Sequence, residues 1–459
     1  MLNKNFLLTT PLAVRLYNDC AKGLALIDYH NHLVFEDVAE NKNFENITQL
    51  WIVSDPYKLR AMRMCGVAEE LITGKADDYQ KFSAWCSIFP RLIGNPLYYW
   101  SLMELETIFG IEEKPNEHNA KRIWDETNAK LRLPEYTARN IYKRFKIEYC
   151  APCCSIISDI SAYKDESGIA PSLRGDDLIF PNISFIETLE NSVGVKINAL
   201  SDLSKAISQR LDAFHAAGCR FSDHAIDDGF TYKIDDGNNE ERFLKILNGD
   251  SLNKEDSEHI ASALLLVLGS EYAKRNWVMQ LHIGALRYTS TRLRQIAGAA
   301  GGYAGIGNNN IISDITKFLD DLEQKEEGLP RTVLFTINPA QNAALSVLSG
   351  SYSKDGVSGL VQQGPAWWWC DNLLGIREVL DVLSTYGVLS NFIGMTTDSR
   401  SLLSLVRHDY FRRVLCGWIG EKVLKDEFPN DYEELKTLIT NICYTNVKNI
   451  LLEGDNYEV

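Results

Sequence analysis

The feature that most constrains this chain is a recurring unit. A short, apolar, β-rich run ends in polar residues and is followed by a helical stretch. Eight such runs are readable, at 24–30, 147–153, 168–173, 219–223, 277–281, 332–337, 361–367 and 392–397. Several intervals carry helical periodicity. Within 203–217, Leu203, Ile207, Leu211 and Phe214 share a face, and within 371–386 Leu374, Val379, Leu380 and Leu383 do so. Strands that alternate with helices build a parallel sheet, because a parallel connection needs a crossover. Eight repeats predict an α/β chain closed into a (β/α)8 TIM barrel, with its chemistry at the carboxyl ends of the strands.

The spacing of the runs is uneven. Residues 33–146 are rich in Trp, Tyr and Leu and read as helical at 81–89, 98–109 and 119–131. A barrel loop needs no such length, so the segment reads as a helical insertion subdomain over the barrel mouth, after the first strand. Residues 232–258, dense in Asp, Asn, Lys and Glu, read as a second, solvated excursion, and 402–459 as helical. The expected organisation is an N-terminal segment with the first strand (1–32), the helical insertion (33–146), the rest of the barrel (147–420) and a C-terminal helical extension (421–459). No repeat of 20–50 residues and no low-complexity tract is visible.

Charge and cysteine usage narrow the class. A net charge of −15 speaks against a polyanion such as nucleic acid. A few arginines inside one pocket still permit a small anionic substrate. The N-terminal residues show no signal peptide, and nowhere do 18 apolar residues run together, so a cytoplasmic protein without membrane contact is expected. The ten cysteines are scattered, and Cys219, Cys416 and Cys443 sit in apolar stretches, as reduced thiols do. Cys150, Cys153 and Cys154 form a C-x-x-C-C cluster with no second pair at metal-ligand spacing, and read as packing residues.

The first strand ends Asp28-Tyr29-His30-Asn31-His32. Residues two apart on a strand point the same way, so His30 and His32 present two imidazoles to one side. Two neutral imidazoles and a carboxylate suit Zn²⁺ or a similar ion. Of eight histidines, His224 and His282 also fall at strand ends. The eighth run leads into Asp398, which reaches a metal held by the first strand because first and last strands of a closed barrel are neighbours. Such a site is open, with room for a substrate.

Seven stretches, DYHNHL (28–33), DPYKLRAMRMCGV (55–67), APSLRGD (170–176), GCRFSDH (218–224), WVMQLHIGALR (277–287), GMTTDSRS (394–401) and RHDYFRRVLC (407–416), resemble the uronate (glucuronate) isomerase family of the amidohydrolase superfamily. The resemblance runs in order from the first strand to about Gly420 and includes the helical insertion. It implies aldose–ketose isomerisation of a hexuronate through a cis-enediol: D-glucuronate to D-fructuronate, D-galacturonate to D-tagaturonate, or both. It implies His30, His32 and Asp398 as ligands of one divalent metal ion, expected to be Zn²⁺, and Asp398, Arg400, Tyr57 and His30 as the catalytic set. Tyr57 and Arg400 then polarise the substrate carbonyl. Arg174, Asp223, His224 and His282 contact the substrate, with His282 also open to a ligand role. The implied partner is the small-molecule hexuronate alone, and homo-oligomerisation is left open.

Those residue types suit the reaction. Moving a proton between C1 and C2 needs a base, donors for a developing oxyanion, and a grip on the carboxylate, for which arginine offers a bidentate fork. The chain also departs from its relatives. Where they end the second strand in Thr-Thr-Asp-Asp-Pro, this chain reads Pro152-Cys153-Cys154-Ser155-Ile156. Where they read Trp-Trp-Phe-Asn-Asp after the seventh, it reads Trp367-Trp368-Trp369-Cys370-Asp371, and Tyr288-Thr289-Ser290 replaces asparagines after Arg287. Two other readings share these residues. One is a metal-dependent hydrolase of the same superfamily, and the other is a sugar-acid-binding barrel without turnover.

Overall fold

Seven of the eight runs pair as parallel strands of one curled sheet in the computed structural model, which describes residues 2–165, 168–308 and 311–455. In chain order the strands are β1 (Leu26–Asn31), β2 (Ile147–Ser155), β3 (Ser172–Arg174), β4 (Phe221–Ile226), β5 (Val278–Ile283), β6 (Ala285–Leu286), β7 (Gly305–Ile306), β8 (Arg331–Thr336) and β9 (Val361–Gln363). The main sheet runs β1-β2-β3-β4-β5-β8-β9, while β6 and β7 form a short antiparallel ribbon. All six residues of β1 and of β5 are buried, as expected of parallel strands covered on both faces.

The crossovers follow the hydrophobic spacing. In the helix Leu200–Ala216 the residues Leu203, Ile207, Leu211 and Phe214 are fully buried. In the helix Leu373–Tyr386 the expected face needs correcting. Val379, Leu380 and Leu383 are buried, but Leu374 is 68% exposed and Ile376 takes its place. At about 100° per residue, 374 lies roughly 200° from 376, on the opposite side of the helix. The reading of 232–258 as solvated also needs correcting. It carries an amphipathic helix, Asn239–Leu247, that buries Arg242, Phe243 and Ile246.

Between β1 and β2 the chain forms the helices Phe35–Ala39, Ile47–Trp51, Pro56–Met64, Asp78–Ile88, Pro96–Phe109, Ala120–Leu131 and Ala138–Arg144. Several starts are written in the sequence. Asn46, Asp55 and Asn95 accept hydrogen bonds from backbone N–H groups of the first turn, and Pro56 and Pro96 occupy first positions where no N–H is needed. Asp77 and Gln80 form a capping box. Trp51, Phe82, Trp85 and Phe89 fill the interior of this segment. It is tied to the C-terminal part by Ser401, which donates to the Leu50 carbonyl at 2.6 Å, and by Ser404, which donates to Glu104 at 2.8 Å.

The C-terminal part is helical, with Arg407–Leu424, Tyr432–Thr440 and Asn446–Asp455. The expected division at 420/421 falls inside the first of these, and residues 456–459 of the expected extension lie outside the described residues. Among the described residues no helix is long and apolar enough to cross a membrane.

The eighth run is the exception. Residues 392–397 form no strand. Gly394 (φ 83°) and Asp398 (φ 49°) adopt left-handed backbone, which breaks the pleat. Side chains stand in for part of the missing ladder. The His30 N–H donates to Thr396 Oγ1 (2.8 Å) and the Thr397 N–H to Asp28 (2.7 Å). Backbone bonds resume with Asp398 N–H to the His30 carbonyl (3.1 Å) and His32 N–H to the Ser399 carbonyl (2.7 Å).

Candidate active site

Those last two bonds set the relation between the H-x-H pair and Asp398. His30 Nε2 lies 3.4 Å and His32 Nε2 3.2 Å from one oxygen, Asp398 Oδ1. Around a tetrahedral zinc ion with ligand bonds of about 2.0–2.1 Å, neighbouring ligand atoms stand about 3.3–3.4 Å apart. Both histidines thus stand at ligand spacing from Asp398. Among the described residues, the groups whose ligand atoms all lie within 4.8 Å of one another are His30, His32 and Cys153, and His30, Asp223 and His282, so an ion held by His30, His32 and Asp398 needs the two imidazoles to draw together. The electrostatics fit as well. Burial holds the His32 pKa down at about 4, giving the neutral imidazole a metal needs. Burial opposes the ionisation of Asp398, but His30 and His32 outweigh it and hold its carboxyl well below the usual range. Burial also opposes protonation of His30, yet Cys153, Asp223 and Asp398 raise its pKa well above the ordinary value, so the surroundings favour positive charge there.

These groups open onto a cavity of about 250 Å³, lined also by Tyr57, Arg174, Asp223, His282 and Arg400. Arg174 is held by Asp176 through Nε at 2.9 Å and lies 3.9 Å from Asp223. Arg400 joins no ion pair among the described residues, and burial, with Arg174 nearby, lowers its pKa. Asp398 and Asp55 act on it only through space, so this desolvated guanidinium keeps its donors for an anionic oxygen. His282 stacks on Phe335 (4.6 Å between ring centres). Its Nδ1 lies 2.7 Å from Asp223 Oδ1 without hydrogen-bond alignment, and among the described residues its Nε2 meets no hydrogen-bond partner.

His224 does not line the cavity. It follows Asp223 on β4, so strand alternation turns it to the other side, where Nε2 meets the Tyr272 hydroxyl at 2.9 Å and the ring presses on Gly175. A Cβ at Gly175 stands 2.1 Å from His224 Cε1, so the Arg174-Gly175 corner requires glycine.

One residue is placed differently from its reading in the sequence, and two were not singled out there. Cys153, read as a packing residue, places Sγ 3.3 Å from His30 Nδ1 and 3.6 Å from Asp223 Oδ2, and is one of the groups, with His30 and His32, close enough to share an ion. Arg287, in the WVMQLHIGALR stretch, lines the cavity while its guanidinium is gripped by both oxygens of Asp227 at 2.8 Å. Arg407, in RHDYFRRVLC, also lines the cavity and pairs with Asp371 at 2.7 Å. Trp100, Trp367 and Trp368 wall the cavity.

Comparison with known proteins places nearly the whole chain beside uronate isomerases. Residues 1–451 match the family model for glucuronate isomerase. The uronate isomerase of Caldanaerobacter subterraneus subsp. tengcongensis is 39% identical, over 97% of this chain and 98% of the relative. That of Bacillus licheniformis is 40% identical over 97% and 96%. The crystal structure of uronate isomerase from Thermotoga maritima superposes with a TM-score of 0.90 at 30% identity, covering 98% of this chain and 99% of that one.

Proposed function

The chain belongs to the glucuronate isomerase family, and on that premise we propose that this centre interconverts a hexuronate and its keto form on one bound zinc ion. The observation that carries the reading is the convergence of His30, His32 and Asp398 in one cavity beside Arg400, which joins no ion pair among the described residues. A cavity of about 250 Å³ lies just below the roughly 300–1,000 Å³ of drug-sized pockets, which suits a single sugar acid. The substrate is D-glucuronate, giving D-fructuronate, or D-galacturonate, giving D-tagaturonate, or both.

Each residue has a task in this reading. His30, His32 and Asp398 would hold the zinc, whose Lewis acidity would serve to orient the substrate carboxylate when the ion is bound. Arg174 adds a second cationic contact to that carboxylate. Arg400 donates to the carbonyl oxygen as negative charge develops on the way to the cis-enediol. Asp398 faces the substrate hydroxyls beside the metal, and Asp223 and His282 line the cavity next to His30, with the His30 and His282 rings 4.5 Å apart. Trp100, Trp367 and Trp368 form the apolar part of the cavity wall.

The architecture we infer around this chemistry is a (β/α)8 barrel. Residues 393–399 supply its eighth wall by touching both β9, through Ile393 N–H to Gln362 (3.1 Å), and β1. The helical residues 33–146 form the insertion that roofs the mouth, between an N-terminal segment (1–32) and the rest of the barrel (147–420), with 421–459 as the extension. A cytoplasmic setting goes with the reading, and the ten free thiols suit it. The test is NMR of product from glucuronate and from galacturonate. A ketouronate of unchanged mass supports the isomerase, whereas a product that has gained water points to the hydrolase.

A further inference from the structure

The resemblance gives Tyr57 the task of donating to the substrate carbonyl, but in the structure its O–H is already engaged. Tyr57 Oη donates to Asp371 Oδ1 at 2.8 Å, and Asp371 Oδ2 accepts from Arg407 Nη1 at 2.7 Å. The carboxylate sits between phenol and guanidinium, and Asp371 and Arg407 are only 6% and 5% exposed, so water does little to screen the pair. The Trp369 N–H also donates to Tyr57 Oη, at 3.3 Å, from a residue in left-handed backbone (φ 62°). Trp369 and Trp100 meet the Tyr57 ring edge-on, with centres 4.9 and 5.6 Å away. Left-handed backbone at a tryptophan persists only where the surroundings over-determine it, and such strain clusters at working sites.

A phenol has one hydrogen to give and two lone pairs. Here the hydrogen goes to Asp371 and one lone pair to Trp369, which leaves the second lone pair. Tyr57 and Arg407 line the cavity, while Asp371 lies behind them. We propose that Asp371, clamped by Arg407, is a positioning residue that turns the Tyr57 O–H away from the substrate and leaves the phenol oxygen as an acceptor for a substrate hydroxyl. The proposal rests on the isomerase reading.

The arrangement gives the enediol a route for its oxygen-bound protons. Isomerisation removes a proton from O2 and adds one to O1. As the O2 proton passes to Tyr57 Oη, the proton of Tyr57 passes to Asp371, and the reverse transfer delivers a proton to O1. No bond to carbon changes in this step, and no oxidant or reductant is needed. Burial pushes the Asp371 carboxyl above its ordinary value despite Arg407, which readies it to take that proton.

The test is a double-mutant cycle on the metal-loaded, full-length protein with its best uronate. Tyr57→Phe, Asp371→Asn and the pair are compared for kcat and KM. Asp371→Asn lowers thermal stability whatever its role, because it leaves a buried Arg407 without its counter-charge, so stability does not discriminate. Each single change is expected to lower kcat about 10- to 1,000-fold with KM within about threefold, and the pair to be no slower than Tyr57→Phe alone. Effects that multiply overturn the proposal, as does an unchanged kcat in Asp371→Asn. If Asp371→Asn does not fold, Arg407→Lys goes through the same cycle with the same readings, since lysine keeps the charge and loses the fork. A wild-type protein without turnover on any uronate overturns the isomerase reading itself, and this proposal with it.

Discussion

Asp28 is the group whose removal should cost the fold most for its size. It is fully buried and accepts from Asn31 Nδ2 (2.9 Å), Thr397 N–H (2.7 Å), Thr397 Oγ1 (2.7 Å) and His408 Nε2 (3.0 Å), with Thr396 Oγ1 in reach at 3.0 Å. It thereby joins β1, the extended residues 396–397 and the helix Arg407–Leu424. In Asp28→Ala the Thr397 N–H and His408 Nε2 have no freedom to swing to new partners. At about 1–3 kcal/mol for each stranded donor, the two together cost roughly 4 kcal/mol. Unfolding entropy of about 2.1 cal/mol/K per residue comes to about 1 kcal/mol/K for 459 residues, so the melting temperature should fall by about 4 °C. Differential scanning calorimetry at two scan rates measures this. A shift under about 1 °C refutes the reasoning.

The pH dependence has a definite sign. Burial raises the Asp28 pKa, but the bonds from His408 and Thr397 prevail and hold it below the ordinary value. A folded pKa below the unfolded one, about 3.9, stabilises above that pH and loses the contribution as pH falls through the folded value. The gap between wild type and Asp28→Asn should be full at pH 7 and close only below about pH 4.

Three further changes probe the site and its support. His30→Ala should drop zinc content from about one per chain to a small fraction, measured by elemental analysis, and unchanged content would exclude His30 as a ligand. Arg400→Met should lower kcat about 100- to 1,000-fold, the cost of losing one oxyanion donor, far more than it raises KM; wild-type turnover with metal still bound contradicts the carbonyl role. Gly394→Ala puts a Cβ 2.1 Å from the Ile442 carbonyl oxygen at φ 83°, and should cost at least about 2 kcal/mol in a urea titration; a neutral result means the backbone there is free to relax.

Much of this was legible in the sequence, for physical reasons that also mark where legibility stopped. Apolar runs at barrel spacing gave seven strands, since burial on both faces demands a near-continuous apolar segment. The eighth run obeyed the same pattern, yet Gly394 and Asp398 turn the backbone and Thr396 and Asp28 replace ladder bonds, a substitution that composition does not encode. The approach of Asp398 was readable from the adjacency of the first and last strands of a barrel, and that His30 and His32 face the same way was readable because two-residue alternation fixes which way side chains point. The same rule separates His224 from Asp223, and the resemblance had grouped them together. The link from Tyr57 to Asp371 and Arg407 was not readable, because its three members lie 314 and 36 residues apart and meet only through the fold. Cys153 looked like packing because the partners of a thiol are set by the tertiary structure, here His30 and Asp223.

The central claim is that this cavity moves a proton between neighbouring carbons of a hexuronate. Proton NMR of the metal-loaded protein with glucuronate or galacturonate in D₂O tests it directly. The account predicts conversion to the ketouronate with deuterium appearing at the carbon that gains the proton, because a cis-enediol exchanges with protein groups open to solvent. Conversion with no deuterium at that carbon, or no conversion of either uronate, contradicts it.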